Sequence, residues 1–379
     1  MNIFLHPGKV FLLSQILLIL SNSFVLADDQ DLRPLKIPSS DISKQYYFCN
    51  YISDEITIDG VLDDIAWNYA EWTNDFIDIE GVSKESPYYK TRSKLLWNDE
   101  YLFICADLEE EHIWATLKEK DSIVYFDNDF EVFIDPDKDS HNYVEIELNA
   151  FNTVWDLILL RPYRDKGPVT NSYDLKGLKT AVNTNGTLNN PHDKDKGWTV
   201  EIAIPWTTLF EIAGTNSPPL HGDTWHINFS RVQWETGIID GKYVKKTDHD
   251  GNTVSEHNWV WSPHGIINMH YPEQWGVVIF NRDNSELEEI KNEAVEEEKY
   301  RDILRKYYYA ERNYYFNNQG VYTGDIANLI PFLEAKYIDF AKFISLYVSP
   351  SDFEIIYRDS TQNQSWHISS DGELWNSPN

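Results

Sequence analysis

Between Tyr125 and Asp156 the chain reads YFDNDFEVFIDPDKDSHNYVEIELNAFNTVWD, a segment dense in carboxylates, amides and aromatic rings. In Phe130 to Asp135, Glu131, Phe133 and Asp135 alternate with Phe130, Val132 and Ile134. In Tyr143 to Asn149, Tyr143, Glu145, Glu147 and Asn149 alternate with Val144, Ile146 and Leu148. Strand side chains point alternately to opposite faces, so each segment has one apolar face and one face of acids, amides and rings. Such a surface suits a polyhydroxylated ring. A pyranose offers an apolar C–H face that stacks on aromatics, and hydroxyls that carboxylates, amides and guanidinium groups read. The candidate contacts are Tyr125, Glu131, Glu145, Glu147, Asn149, Trp155 with its neighbour Asp156, Arg231 and Trp234. For any one of the polar groups, pairing inside the protein or facing solvent is an equal reading. Most of the fourteen Trp must be core.

Two other chemistries compete for the same acids. Asp135, Asp137 and Asp139 alternate as the oxygen ligands of a calcium loop do, but the Gly and terminal Glu of an EF-hand are missing. A structural Ca2+ held in another way, or a solvated acidic turn, remains. A glycosidase needs two carboxylates at a defined separation across the scissile bond. With sixty-two acids in the chain, a pair such as Glu131 and Glu147 arises by chance, so hydrolysis of O-glycosyl bonds stays the alternative to binding without catalysis.

The elements that must position these groups are short strands. Candidates are Glu55 to Ile58, Ser93 to Trp97, Tyr101 to Asp107, Phe130 to Ile134, Tyr143 to Asn149, Thr153 to Leu159, Trp198 to Ile204, Trp225 to Trp234 and Gly276 to Phe280. Many strands, turn clusters such as Asn189-Asn190-Pro191 and no helices between them predict an all-β, antiparallel two-sheet sandwich of jelly-roll or immunoglobulin-like type over residues 50–281. Residues 28–49 read as a leader. From 282 the composition turns acidic, and Tyr300, Ile303, Tyr307, Ala310 and Tyr314 recur at helical spacing. Residues 282–379 are thus expected to form a small α+β extension of a helix and a β-hairpin, with the tyrosine stripe as core.

Lys9, the apolar run Val10 to Leu20 and Val25-Leu26-Ala27 read as a secretory signal cleaved after Ala27, since the run falls short of the roughly 20 residues a membrane span needs. The mature chain is expected to have no transmembrane segment and to be exported, whether periplasmic, cell-surface or secreted. The full chain's charge of −30 argues against nucleic acid, which demands basic patches. Cys49 and Cys105 are either a disulfide or two buried thiols, and spacing does not choose between them.

The segment Ile56 to Trp67, with Ile58, Asp59, Gly60, Asp63 and Trp67, resembles the opening of family 9 carbohydrate-binding modules. Further matches follow in family order: Leu96 to Leu102, Phe130 to Asp135, Gly197 to Trp206, Trp261-Ser262-Pro263 and Trp275-Gly276. The resemblance covers roughly residues 50–280 and is strongest to members that stand alone as exported proteins. It implies a β-sandwich that grips sugar between two aromatic rings, structural calcium, and a role as accessory to polysaccharide breakdown beside secreted glycoside hydrolases. It places the first ring on Tyr125 and a sugar-contacting carboxylate on Glu131. The second ring position falls on Met269, a departure, with His270 or Tyr271 as possible substitutes. Haem-binding relatives of the sandwich use separate Met and His ligands, and adjacent Met269 and His270 do not easily ligate opposite sides of one iron. A third role, docking of the C-terminal unit on a secretion or surface assembly, also stands open.

Overall fold

Segments whose apolar residues alternate become the strands of the protein, described by a computed structural model over residues 34–38, 42–360 and 363–379. The expected signal at 1–27 and its cleavage after Ala27 lie outside the described residues. Asp129–Asp135, Tyr143–Asn149, Val154–Leu159, Gly197–Pro205, Thr224–Gln233 and Gly276–Asn281 form within a residue or so of where alternation puts them. Glu55 to Ile58 does not become a strand. The amides that follow it, Asp59 N–H and Gly60 N–H, donate to the Glu201 carboxylate rather than to a ladder partner. Conversely Tyr46–Tyr51, which begins inside the expected leader and crosses its end at residue 49, is a strand with Tyr47 and Cys49 turned into the core.

Across the principal sheet the order is Val169–Thr170, Val154–Leu159, Tyr143–Asn149, Asp129–Asp135, Thr224–Gln233, Gly276–Asn281, Tyr46–Tyr51, Thr91–Trp97, Tyr101–Glu109, Gly197–Pro205 and Lys179–Asn185. The sheet is mixed, which corrects the purely antiparallel expectation. Tyr46–Tyr51 runs parallel to both neighbours, with Tyr46 opposite Val277 and Asn50 opposite Leu96. This strand also joins the two halves into one hydrogen-bonded path instead of two separate sheets. Alternation looks the same in parallel and antiparallel strands, so the direction of a partner was not readable from it.

Phe130, Val132, Ile134, Val144, Ile146 and Leu148 from one half share a buried cluster with Leu95, Leu102, Ile104, Val200 and Ile202 from the other. Each such side chain contributes about 1.5–3 kcal/mol on leaving water. The sheet must therefore curl so that these faces meet, which turns Asp129, Glu131, Phe133, Glu145 and Glu147 to its outer side. Cys49 and Cys105 are buried free thiols.

The helix after the principal sheet spans Leu287–Asn317, longer than the tyrosine stripe alone indicates. Glu288 and Glu289 lie in its first turn, where acids suit the positive end of the helix dipole. Ile290 and Ala294 pack on Val277 and Ile279 of the principal sheet. Further along, Tyr300, Ile303, Leu304, Tyr307 and Tyr308 bury against Phe353, Ile355, Trp366 and Ile368. Those partners belong to a four-stranded antiparallel sheet, Ile344–Val348, Phe353–Tyr357, Gln364–Ser369 and Leu374–Pro378, larger than the expected hairpin. The extra strand Ile344–Val348 is half-exposed at the edge and carries little of the burial that makes alternation visible.

Candidate functional site

Strand register brings the expected acids into a row on the outer face. Glu131 lies opposite Glu147 on one side and Ser230 on the other, and Glu147 lies opposite Trp155. The row Ser230, Glu131, Glu147, Trp155 thus crosses four adjacent strands, where directly opposed side chains sit about 4.5–5.5 Å apart. A second row places Asn228, Phe133, Glu145 and Leu157 beside it. Three carboxylates and an indole from three successive strands, flanked by Ser230 and Asn228 from a strand distant in the chain, become one surface.

Loops close over this surface. The short turn Val124–Phe126 brings Tyr125, whose N–H donates to Glu147 Oε2 at 2.9 Å and whose carbonyl accepts from Trp234 Nε1 at 2.8 Å. Tyr125 and Met269 both pack on the apolar cluster of Val124, Phe133, Tyr143, Trp155, Leu157 and Trp275. Met269 is held by its carbonyl, which accepts from Trp275 Nε1 at 3.0 Å, while His270 Nδ1 meets the Tyr143 hydroxyl at 3.0 Å. Tyr163 stands edge-on to His270 with ring centroids 4.5 Å apart. Phe126 and Tyr163 keep 47% and 44% of their surface exposed, so ring faces line the approach while the acids lie beneath.

Burial dominates the electrostatics. Glu131, Glu145 and Glu147 retain 4%, 5% and 2% of their exposure. Loss of water pushes Glu131 up to about 7, and burial followed by the nearby Glu131 charge pushes Glu145 up to about 8. Glu147 and Asp129 are raised well above the usual carboxylate range, first by burial and then by the neighbouring acids. Near neutral pH these groups therefore share protons and can donate as well as accept hydrogen bonds.

The other sequence-predicted residues are engaged within the protein. Arg231 projects to the opposite side of its strand from Ser230 and is fully buried, donating to Glu110, Gln233 and Thr91 at 2.7–3.0 Å. Asn149 is spent on the scaffold: its amide donates to Leu117 O and Asp127 Oδ2, and its carbonyl oxygen accepts from the Phe151 and Thr153 amides. Trp234 has the Lys245 ammonium 3.2 Å from its ring centroid. Asp156 accepts from Leu175 N–H and faces Lys120. Sequence reasoning missed Asp129, which lies one strand position pair before Glu131 and was within reach of the same alternation. It also missed Tyr163 and Phe126, which sit in turns where no periodicity marks them.

The second acidic group lies in the loop after Asp129–Asp135. One carboxylate oxygen from each of Asp135, Asp137 and Asp139 lies within 4.8 Å of the others, and Asp137 Oδ1 is buried without a hydrogen-bond partner. Asp135 accepts from the Lys138 and Ser140 amides at 3.1 and 3.0 Å. The C-terminal part pins this loop: Arg301 donates to Lys138 O, Arg305 to Ser140 Oγ, and Leu374 N–H to Asp139 O. Among the described residues no helix is long and apolar enough to cross a membrane.

Comparison with known proteins gives a match to the family described as Carbohydrate family 9 binding domain-like over residues 58–282. Endo-1,4-beta-xylanase A of Thermoanaerobacterium saccharolyticum is 29% identical over 175 residues, and exoglucanase XynX of Acetivibrio thermocellus is 28% identical over 178. Each match takes in 46% of this chain but only 13% and 14% of those relatives. Among solved structures, a family 9 carbohydrate-binding module from Caldicellulosiruptor kristjanssonii in complex with cellotriose aligns with 64% of this chain and 97% of its own, at 17% identity and a TM-score of 0.40. A putative carbohydrate-binding protein from Bacteroides uniformis aligns with 63% of this chain and 100% of its own, at 17% identity and a TM-score of 0.46.

Proposed function

This chain belongs to the carbohydrate family 9 binding domain-like family, and we propose that it binds poly- or oligosaccharide without turning it over. The observation that carries the proposal is the row of Glu131, Glu147 and Trp155 beneath Tyr125, which sets hydroxyl-reading groups under a ring that can stack on a sugar. Tyr163 and Met269 complete the approach: a flat ring and a polarizable thioether suit the C–H face of a pyranose. The two halves of the principal sheet serve as the two layers of the family's sandwich.

Glu131 and Glu147 act in binding rather than in hydrolysis. A glycosidase keeps one carboxylate ionised and one protonated on either side of the scissile bond. Here both acids lie side by side on neighbouring strands, almost wholly buried and both raised. We read the Asp135, Asp137 and Asp139 loop as a structural calcium site that fixes the contact between the principal sheet and the C-terminal part, supported by the buried, unpartnered Asp137 Oδ1. Export, and association with secreted glycoside hydrolases or a surface assembly, belong to the same reading.

Calorimetric titration with xylo- and gluco-oligosaccharides, followed by a wider panel of plant and algal polysaccharides, tests it; the first probes suit a chain whose relatives include a xylanase and an exoglucanase. Tyr125→Ala and Glu131→Ala should each weaken binding while the fold survives. Wild-type affinity in both variants, or no binding to any glycan, would sink the assignment.

A further inference from the structure

Three of the buried acids on the outer face converge on one point. One carboxylate oxygen from each of Asp129, Glu131 and Glu147 lies within 4.8 Å of those of the other two. Backbone donors hold only part of this set: Val232 N–H reaches Asp129 Oδ1 at 3.1 Å, and Tyr125 N–H reaches Glu147 Oε2 at 2.9 Å. Asp129 Oδ2 is buried with no hydrogen-bond partner, and Glu131 Oε2 and the Ser230 hydroxyl, opposite each other, have no partner beyond one another. Asp129 and Ser230 are wholly inaccessible, and Glu131 is nearly so. Among the described residues, no Lys, Arg or His forms an ion pair with Asp129, Glu131, Glu145 or Glu147. Elsewhere the chain does pair buried acids: Glu110 has Arg231 at 2.8 Å, and Glu298 has His226 at 2.9 Å.

Unpartnered carboxylate oxygens in a dry site are costly, and what relieves them is a proton or a cation. Several oxygens converging from three carboxylates and a hydroxyl are a donor set for a hard ion. Calcium takes oxygen ligands at about 2.3–2.6 Å, so two ligands of one ion stand no more than about 5.2 Å apart, and the oxygens of this group, all within 4.8 Å of one another, are close enough to share one.

We propose that Asp129, Glu131 and Glu147, with Ser230 Oγ, form a calcium site set into the sheet beneath Tyr125, distinct from the Asp135 to Asp139 loop. The ion's use rests on the sugar-binding reading: hydroxyl oxygens of the bound sugar complete its coordination shell. The existence of the site does not depend on that reading.

The full chain, freed of metal with EDTA, is titrated with CaCl2 by calorimetry and followed by thermal unfolding with and without calcium. Asp137→Asn should remove a calcium event belonging to the loop and leave the one at this site. Asp129→Asn and Glu147→Gln should weaken that remaining event by at least about tenfold, the loss seen when even an outer partner of a metal site is removed. In the Asp137→Asn background, calcium should raise the unfolding temperature, and adding Glu147→Gln should abolish the rise while unfolding stays cooperative. That readout separates a lost ion from a lost fold, because neutralising one of several crowded acids relieves repulsion in the metal-free state. Calcium affinity and thermal shift unchanged by Asp129→Asn and Glu147→Gln would overturn the site. Oligosaccharide affinity should fall at least about tenfold in EDTA; an affinity unaffected by calcium would overturn the ion's part in sugar binding. Calcium binding as expected without binding of any glycan would leave the site standing and remove the sugar reading.

Discussion

Replacing Glu201 should unseat the entrance to the principal sheet. Glu201 is fully buried on Gly197–Pro205 and accepts three donors from residues more than 130 positions earlier: Asp59 N–H at 3.0 Å, Gly60 N–H at 2.9 Å and Trp67 Nε1–H at 2.8 Å. Asp59 is exposed and its amide can turn to water, but Gly60 and Trp67 are buried. Glu201→Ala therefore strands two buried donors, at about 1–3 kcal/mol each. Burial holds Glu201 above its ordinary value despite the three donors, so its removal also recovers part of the cost of desolvating it. The net loss should be about 2–4 kcal/mol. Glu201→Gln keeps one acceptor oxygen and should lose less. Urea unfolding followed by tryptophan fluorescence measures both, as a lower midpoint at unchanged slope. A loss below about 1 kcal/mol for Glu201→Ala would refute the reasoning. Gly60→Ala offers an independent check of the same turn: φ is +86°, and a Cβ there would stand 2.7 Å from the Asn183 backbone nitrogen.

Arg231→Ala should cost about 3–5 kcal/mol by leaving Glu110 buried and unpaired, and the Arg231→Ala, Glu110→Ala double variant should cost less than the sum of the singles in denaturant unfolding. Tyr163→Ala, at a partly exposed ring, should weaken sugar binding by about tenfold with a near-unchanged unfolding midpoint; calorimetry and melting together check it. Burial pushes Glu311 up to about 7 against the lowering by the Thr323 amide, so the folded state holds its proton more tightly than the unfolded state. Its contribution is present below about 4.5 and is lost as pH rises through about 7. Glu311→Gln should therefore lose its disadvantage, or gain an advantage, relative to wild type over that interval, and parallel pH profiles of the two melting temperatures would contradict this.

Much of the outer face was legible because alternation is a local property. Glu131 with Phe133, and Glu145 with Glu147, share faces that follow from strand geometry alone. The tyrosine stripe was legible as core for the same reason, since Tyr300, Ile303 and Tyr307 are one helix face and all three are buried. Arg231 shows where this stops. Its alternation was as clear as that of Glu131, but which face of Thr224–Gln233 meets the core depends on register with Asp129–Asp135. Asn149 shows a second limit, because a polar group on the right face can be consumed by a loop that only the fold brings near.

Sequence by itself determined that the chain is built of strands with one apolar side and that Glu131 shares a face with Phe133 and Asp135; sugar contacts at Tyr125 and Glu131, and the departure at Met269, are what the family resemblance implies. Tertiary structure alone decided that Tyr46–Tyr51 joins the two halves in parallel and that Cys49 and Cys105 stay apart. It alone aligned Ser230, Glu131, Glu147 and Trp155 across four strands, and set Asp129 beside them. The physical reason is one of range. Side-chain direction repeats every two residues within a strand, whereas partner, register and the water excluded above a face are fixed by segments up to a hundred or more residues away.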